Sequence, residues 1–312
     1  MLAAPLRAFF LFLSNRRWVA RIVLRLGLAR RMAFRFVAGT TLDDAVEAVR
    51  ALNAGGARAT LDVLGEAVTD RTMAEGAARA YVTTIERIAA EGLDANVSVK
   101  LTQMGLDLGV DACLEVMQPV VEAGDRHGVF VRIDMESSAH TDRTLDVVRR
   151  LRAASHDVGP VLQAYLHRSM DDVRPFAADR VRTRICKGAY AEPPEIAWQA
   201  RDDINRSFVA LCTLLLEADA EPAVATHDPD MLEAVKRVVA ERAIPFDRFE
   251  FQLLYGIRRD LQEQLLADGY RLRVYVPYGT EWYPYFMRRL AERPANVAFL
   301  VRSLFGERRA RG

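Results

Sequence analysis

The sequence predicts an α/β protein built as a (β/α)₈ barrel. Eight short β-rich apolar runs alternate with longer stretches of helical period. They fill about 230 residues, the usual scale of eight βα units. Polar and charged residues gather at the C-terminal ends of these runs, where such barrels keep their chemistry. An open doubly wound sheet is the competing arrangement. It lacks its usual signals here: no G-x-G-x-x-G follows a first strand and there is no Walker A motif.

Taken in order, residues 1–42 hold eight arginines and no acid, which leaves 35 basic residues against 42 acidic ones in the remainder. Within "MLAAPLRAFFLFLSNRRWVARIVLRLGLARR", Arg17, Arg21 and Arg25 recur every four residues beside Trp18, Ile22 and Leu26. That is the pattern of a basic amphipathic helix, suited either to packing on its own domain or to an anionic membrane surface. The apolar part is too short for a span of roughly 20 residues and lacks a secretory cleavage site. We therefore expect residues 1–40 to form a helical arm and residues 41–312 to form the barrel. A helix over 42–54 precedes the first strand, so the barrel carries extra N-terminal helices.

The expected strands are "ATLDVLGE" (59–66), "ANVSVKLT" (95–102), "VFVRIDMESS" (129–138) and "PVLQAYLH" (160–167). "RTRICKGAY" (182–190), "EPAVATHD" (221–228), "FEFQLLYG" (249–256) and "RLRVYVPYG" (271–279) complete the eight. Expected helices lie near 72–92, 111–127, 141–155, 170–179, 195–218, 229–243, 258–269 and 282–292. Thr69 or Asp70, and Asp228 ahead of Pro229, are capping candidates. Strands flanked by helices imply a parallel sheet covered on both sides.

The chain is 51% hydrophobic with a net charge of +1, which excludes disorder and gives no sign of a nucleic-acid partner. Cys113, Cys186 and Cys212 are an odd, widely spaced set without C-x-x-C, so no disulfide framework is expected and a reducing cytoplasm fits. Five scattered histidines show no metal-ligand spacing, and no metal is expected. Lys100, Lys187 and Lys236 are the only lysines.

Polar residues occur at strand after strand: Glu66, Lys100, Asp134 and Glu136, Gln163 and Tyr165, then Arg184, Lys187 and Tyr190. Thr226, His227, Asp228, Gln252, Tyr255, Tyr275 and Tyr278 continue the series. Each has a structural explanation on its own: a cap for Asp228, an arginine partner for Glu136, a turn for Tyr278, a satisfied buried ring for His227. Together they predict a charged ligand cavity, because burying such groups without partners costs several kcal/mol each, roughly. The cations favour an anionic ligand. Arg288 and Arg289 follow strand eight among tyrosines and a tryptophan, and a planar guanidinium suits a carboxylate. Arg288 also has Glu292 four residues on, the spacing of a surface ion pair.

At this point the motifs resemble a known family. "SVKL" (98–101), "RIDMES" (132–137), "QAYL" (163–166), "RICKGAY" (184–190), "ATHD" (225–228), "FEFQLLYG" (249–256) and "YPYFMRRLAERPAN" (283–296) appear in the order found in proline dehydrogenases. The set also resembles the proline-oxidising domain of bifunctional proline-utilisation enzymes, and the short chain looks like the monofunctional bacterial form. The resemblance implies a distorted (β/α)₈ TIM barrel with FAD at its C-terminal mouth, bound without a Rossmann motif.

Residue by residue, the resemblance implies a carboxylate clamp of Lys100, Arg288 and Arg289. Tyr275, Tyr285 and Leu254 resemble pocket walls. Asp134 resembles an acid that orients Lys100 or its neighbours, and Arg184 a cation near the flavin. Met135, Gln163, Lys187, Gly188, Ala189, Tyr190, Thr226, His227, Gln252 and Glu292 match cofactor positions. Glu66 resembles an acid that closes over the substrate by pairing with Arg288. Cys186 departs from a valine-like position and reads as a small hydrophobe.

The implied reaction oxidises L-proline to Δ1-pyrroline-5-carboxylate by hydride transfer from C5 to flavin N5, the first step of proline degradation to glutamate. Electrons then reach a membrane quinone, at a cytoplasmic enzyme held peripherally on the inner face of the cell membrane, and a pyrroline-5-carboxylate dehydrogenase is the implied downstream partner. The rival enzyme reading is a barrel aldolase or lyase with Lys100 or Lys187 as a Schiff-base lysine; a binding module without turnover is the third.

Overall fold

The computed structural model describes residues 34–65 and 67–292, and of residues 288–292 the backbone alone. Helix α1 (Leu42–Ala54) leads into β1 (Arg58–Val63), and α2 (Arg71–Ala90) into β2 (Ala95–Lys100). Then follow α3 (Val110–His127), β3 (Val131–Asp134), α4 (Thr141–Ala153), β4 (Val158–Gln163), α5 (Ser169–Ala178) and β5 (Arg184–Cys186). The last elements are α6 (Arg201–Glu217), β6 (Ala223–Ala225), α7 (Pro229–Glu241), β7 (Glu250–Leu254), α8 (Arg259–Ala267), β8 (Leu272–Tyr278) and α9 (Trp282–Glu292). Every strand pairs in parallel with the next, and β8 pairs with β1, so the sheet closes and the open-sheet alternative falls away.

Local chemistry sets the helix starts. Thr41 and Asp44 form a reciprocal capping box on α1, and the Asp70 carboxylate accepts from Met73 N–H on α2. Asp228 caps α7 ahead of Pro229, whose fixed φ and missing N–H suit a first helical position.

Alternation along each strand separates two cores. Leu61, Val97, Val99, Ile133, Ile185, Phe251, Val274 and Val276 are buried against the helices, where Val49, Ile85, Met117, Leu145 and Phe208 meet them. Burial of each such side chain is worth about 1.5–3 kcal/mol. The alternate positions carry Thr60, Asp62, Ser98, Arg132, Asp134, Arg184, Glu250, Gln252 and Arg273, all but Glu250 fully buried. Contacts between strands that are not neighbours prove that this set fills the lumen: Tyr275 of β8 reaches Asp134 of β3, and Arg184 of β5 reaches Ser98 of β2. A barrel interior is usually packed with branched aliphatics; this one is polar.

The structure shortens several expected strands. β3, β5 and β6 end before Glu136, Lys187 and Thr226, because those backbones leave the ladder to form the mouth. The helix expected from 195 starts at Arg201 instead. Trp198 N–H donates to Tyr165 O (2.7 Å) and Ile196 O accepts from His167 N–H (3.0 Å), which ties residues 196–198 to the exit of β4. Tyr278 is a strand residue rather than a turn residue: it is buried against α2, its hydroxyl 2.6 Å from that of Thr84.

Residues 34–40 lie on the barrel. Ala38 N–H donates to Pro277 O and Gly279 N–H to Gly39 O. Phe34 and Phe36 pack on Trp282 and Phe286 of α9. Gly256 (φ +69°) is required beneath them, since a Cβ there would stand 1.7 Å from Arg35 O. The expected helical arm covers residues 1–40; its residues 1–33 lie outside the described residues, and residues 34–40 form turns and irregular chain, not helix. Among the described residues, no helix is long and apolar enough to cross a membrane.

Candidate active site

Lys100, Asp134, Gln163 and Leu254 are each the last residue of a strand, so the barrel delivers them to one mouth. The centre of the site is the Asp134 carboxylate. It accepts from Ser98 Oγ (2.5 Å) and Arg184 Nη1 (2.7 Å) on Oδ1, and from Tyr275 O–H (2.8 Å) on Oδ2, with Lys100 Nζ 3.7 Å away. Lys100 Nζ donates to Asp62 Oδ1 (2.8 Å) and to Tyr275 Oη (3.3 Å). Arg184 Nε donates to Gln252 Oε1 (2.5 Å), and its guanidinium carbon is 5.3 Å from the Tyr275 ring centroid.

Electrostatics fix the protonation states. Burial works against the Asp134 charge, but Arg184, Lys100 and the bonds from Ser98 and Tyr275 hold the carboxyl below its usual range. Burial alone would lower the Lys100 pKa; Asp62 and Asp134 outweigh it and leave it raised. Burial, then the charge of Asp134, pushes the Tyr275 phenol well above its ordinary value. At neutral pH the centre is a carboxylate, an ammonium, a guanidinium and a neutral phenol. Among the described residues, Lys100 and Arg184 are paired with Asp62 and Asp134. Arg288, Arg289 and Glu292 have side chains outside the described residues, and Glu66 also lies outside them.

A second cluster stands at the exits of β5 and β6. Lys187 Nζ donates to Asn205 Oδ1 and Asp228 Oδ2, both at 2.6 Å, and Arg201 Nη2 reaches the same Asp228 oxygen at 2.9 Å. Asp228 thus caps α7 and holds two cations. Thr226 Oγ1 accepts from Asp228 N–H, and His227 Nε2 accepts from Leu254 N–H (2.9 Å), joining β6 to β7. Gln163 Nε2 donates to Glu136 O (2.8 Å). Glu136 itself takes Thr102 N–H and O–H, not the expected arginine. Met135 is buried directly after Asp134, and Tyr285 is buried on α9, with Leu254 packed on the same cluster. Ala189 and Tyr190 are exposed on the loop after β5.

The mouth carries donors suited to an anionic ligand. Arg184 Nη2 is buried without a hydrogen-bond partner among the described residues, a donor left for a ligand. Gly188 (φ +118°) lies so close to Tyr165 that a Cβ would stand 2.3 Å from the ring, so the loop backbone rests on that side chain. Lys187 and Arg201 sit at the N-terminus of α7, where anions are favoured. Beside them a shallow hollow of about 680 Å³ is lined by His167, Trp198, Ala200 and Asp203, among others. Among the described residues no group of three or more His, Cys, Asp or Glu is placed to hold a metal ion.

Both Schiff-base candidates are tied to carboxylates, Lys100 to Asp62 and Lys187 to Asp228. A neutral amine is what that chemistry needs, so the aldolase or lyase reading is not favoured. Burial pushes the Cys186 thiol up to about 11, in keeping with a small hydrophobe.

Sequence reasoning missed Asp62, Ser98, Glu250 and Arg273. The available signal was alternation: Thr60 and Asp62 share one face of β1 while Leu61 and Val63 take the other.

Comparison with known proteins completes the picture. A family profile described as "Proline dehydrogenase" matches residues 45–302. The chain is 41% identical over 299 residues to Proline dehydrogenase 1 of Bacillus subtilis (strain 168), covering 96% of this chain and 99% of that one. It is 40% identical over 278 residues to the proline dehydrogenase of Deinococcus radiodurans, covering 88% and 90%. Among solved structures, proline utilization A from Bdellovibrio bacteriovorus, inactivated by N-propargylglycine, superposes with a TM-score of 0.79 at 25% identity. That match takes in 84% of this chain and 32% of the larger protein, so this chain spans about a third of it.

Proposed function

The chain belongs to the proline dehydrogenase family, and from that membership we propose that it oxidises L-proline to Δ1-pyrroline-5-carboxylate with FAD and passes the electrons to a membrane quinone. The observation that supports this most is the single network of Lys100, Asp134, Arg184 and Tyr275 at the barrel mouth.

In this reading Lys100, with Arg288 and Arg289, binds the proline carboxylate, and Tyr275, Tyr285 and Leu254 exclude water from the ring. Fixing the acid group orients the ring for reaction, and such positioning supplies several kcal/mol of the barrier, roughly. Asp134 holds Arg184, Tyr275 and Lys100 in register. Its carboxyl is too acidic to take the amine proton, and the Tyr275 phenol keeps its own. The substrate amine reacts in its neutral form, and neither Asp134 nor Tyr275 is assigned as the acceptor of its proton. Gln163, Thr226, Gln252, Lys187 and the Gly188 loop would hold FAD, with Met135, Ala189, Tyr190, His227 and Glu292 completing its contacts. FAD, when bound, supplies the two-electron acceptor. Glu66 is assigned as the acid that pairs with Arg288 over the bound substrate.

The test is the visible absorption spectrum of the purified protein under anaerobic conditions. A yellow protein that bleaches on adding proline is the expected result. A colourless protein that takes up no flavin, or a flavin band untouched by proline, would eliminate the proposal.

The basic segment of residues 1–33 is the proposed contact with the cell membrane, its seven arginines meeting anionic lipid. Residues 34–40 pack on the barrel, so the arm ends before them. Deleting residues 1–33 should weaken binding to anionic liposomes, more at low salt than at high salt. Equal binding with and without the segment removes the membrane role.

A further inference from the structure

We propose that Asp62 is a positioning residue for substrate binding, fixing the Lys100 ammonium so that one of its three hydrogens is left for the substrate carboxylate. This rests on the reading of Lys100 as part of the carboxylate clamp.

Asp62 is fully buried on the lumen face of β1. Its Oδ1 accepts from Lys100 Nζ at 2.8 Å, while its Oδ2 is buried with no partner among the described residues. The other nearby donor is Tyr81, whose hydroxyl is 3.3 Å from Asp62 Oδ1 but 2.8 Å from Ser98 O. That hydroxyl has one proton, and the shorter bond takes it. Asp62 therefore depends on Lys100.

The lysine has three hydrogens. Asp62 Oδ1 takes one and Tyr275 Oη a second, since the Tyr275 proton is committed to Asp134. The third remains, on a side chain still partly open to the mouth. Among the described residues, the charged or titratable groups facing Lys100 are Asp62 on β1, Asp134 on β3, Tyr275 on β8 and Glu136 after β3; Tyr81 on α2 and Arg184 on β5 face Asp62 and Asp134 in turn. Among them Asp62 makes the shortest contact and does most to hold the ammonium charged against burial, while Asp134 is shared with Arg184.

Cyclopentanecarboxylate, a proline isostere without the titrating amine, isolates the role of the lysine. Its Kd is measured on the holoenzyme by calorimetry from about pH 7 to about pH 9.5, below the free lysine range. The wild type should bind with a nearly flat profile. Asp62→Asn should bind about tenfold more weakly at neutral pH, with further loss as pH rises through a lowered lysine pKa. Proline KM should rise more than kcat falls. Asp62→Glu should restore the flat profile. A loss of stability in Asp62→Asn with an unchanged Kd profile would overturn the proposal, because a purely structural acid would give that result. Lys100→Met separates the two readings: weak binding at every pH keeps the clamp whatever Asp62 does, and wild-type binding removes Lys100 from it. If Asp62→Asn does not fold, the wild type still decides. With three lysines in the chain, ¹³C-lysine NMR resolves Lys100 by its absence in Lys100→Met. Its signal should stay in the charged position to at least about pH 10.4, the free-lysine value, and earlier titration would overturn the inference.

Discussion

Asp134→Asn lowers kcat/KM for proline by about two to three orders of magnitude while the barrel stays folded. The substitution keeps the shape and removes one negative charge from a buried cluster of four charged groups. Arg184 and Lys100 then face each other with Asp62 as the remaining carboxylate, and Asp62 is already bound to Lys100. Arg184 keeps Gln252 and Ser98 but loses its charge partner at 2.7 Å. Breaking a buried pair in this way costs about 3–5 kcal/mol. Each 1.4 kcal/mol that appears in the transition state is about a factor of ten in rate. Much of the cost falls on the substrate-binding state, because Tyr275, Lys100 and Arg184 all take their positions from this one carboxylate. Steady-state kinetics with an artificial acceptor, beside the flavin content and melting temperature of the variant, test this. A variant within about threefold of wild type, about 0.65 kcal/mol, would show that the network orients nothing the reaction needs.

The barrel was legible because its helices keep a clean 3.6-residue period and its strands are short apolar runs between them. α1 and α3 match their expected ranges within a residue at either end, and α9 starts at the expected residue. Strand ends were less legible. Glu136, Lys187 and Thr226 follow apolar runs without a break in pattern, yet their backbones already belong to the mouth. Sequence carries no mark for where a ladder stops when the next residues serve a site. The site itself was visible through Lys100, Asp134, Arg184 and Gln252, which look wrong for a barrel core. Their counter-ions were not visible. Asp62 lies inside β1, and a lone acid in an apolar run carries no mark of a lysine partner 38 residues on. Glu250 and Arg273 sit near the start of their strands, at the end of the barrel away from the chemistry, where no functional argument looked. Alternation applied strictly to β1, β7 and β8 would have found all three.

That lower pair yields the largest expected effect on stability. Glu250 Oε1 accepts from Arg273 Nε (2.7 Å) and from Gln252 Nε2 (2.6 Å), and Arg273 Nη1 donates to Ala59 O (2.7 Å). Gln252 in turn holds Arg184. A column of polar contacts therefore runs up the lumen from Arg273 through Glu250, Gln252 and Arg184 to Asp134. Arg273→Met leaves the mostly buried Glu250 without its main partner, with Arg58 at 3.9 Å as the remaining ion-pair partner among the described residues, and should cost about 3 kcal/mol in urea unfolding at neutral pH. Burial works against the Glu250 charge, but Arg273 and Gln252 hold its folded pKa below the ordinary value. Its stabilisation is thus present above the unfolded glutamate pKa of about 4.3 and is lost as pH falls through the lowered folded value. The gap between wild type and Arg273→Met should close on acidification. In Arg273→Met/Glu250→Leu the uncompensated charge is gone, so most of the stability should return. Activity should not return with it, because Gln252 Nε2 no longer has Glu250 to fix the orientation of the amide that Arg184 needs. Recovery of kcat/KM along with stability would mean that the lower pair only fills space, and that Arg184 is placed by Asp134 and Ser98 alone.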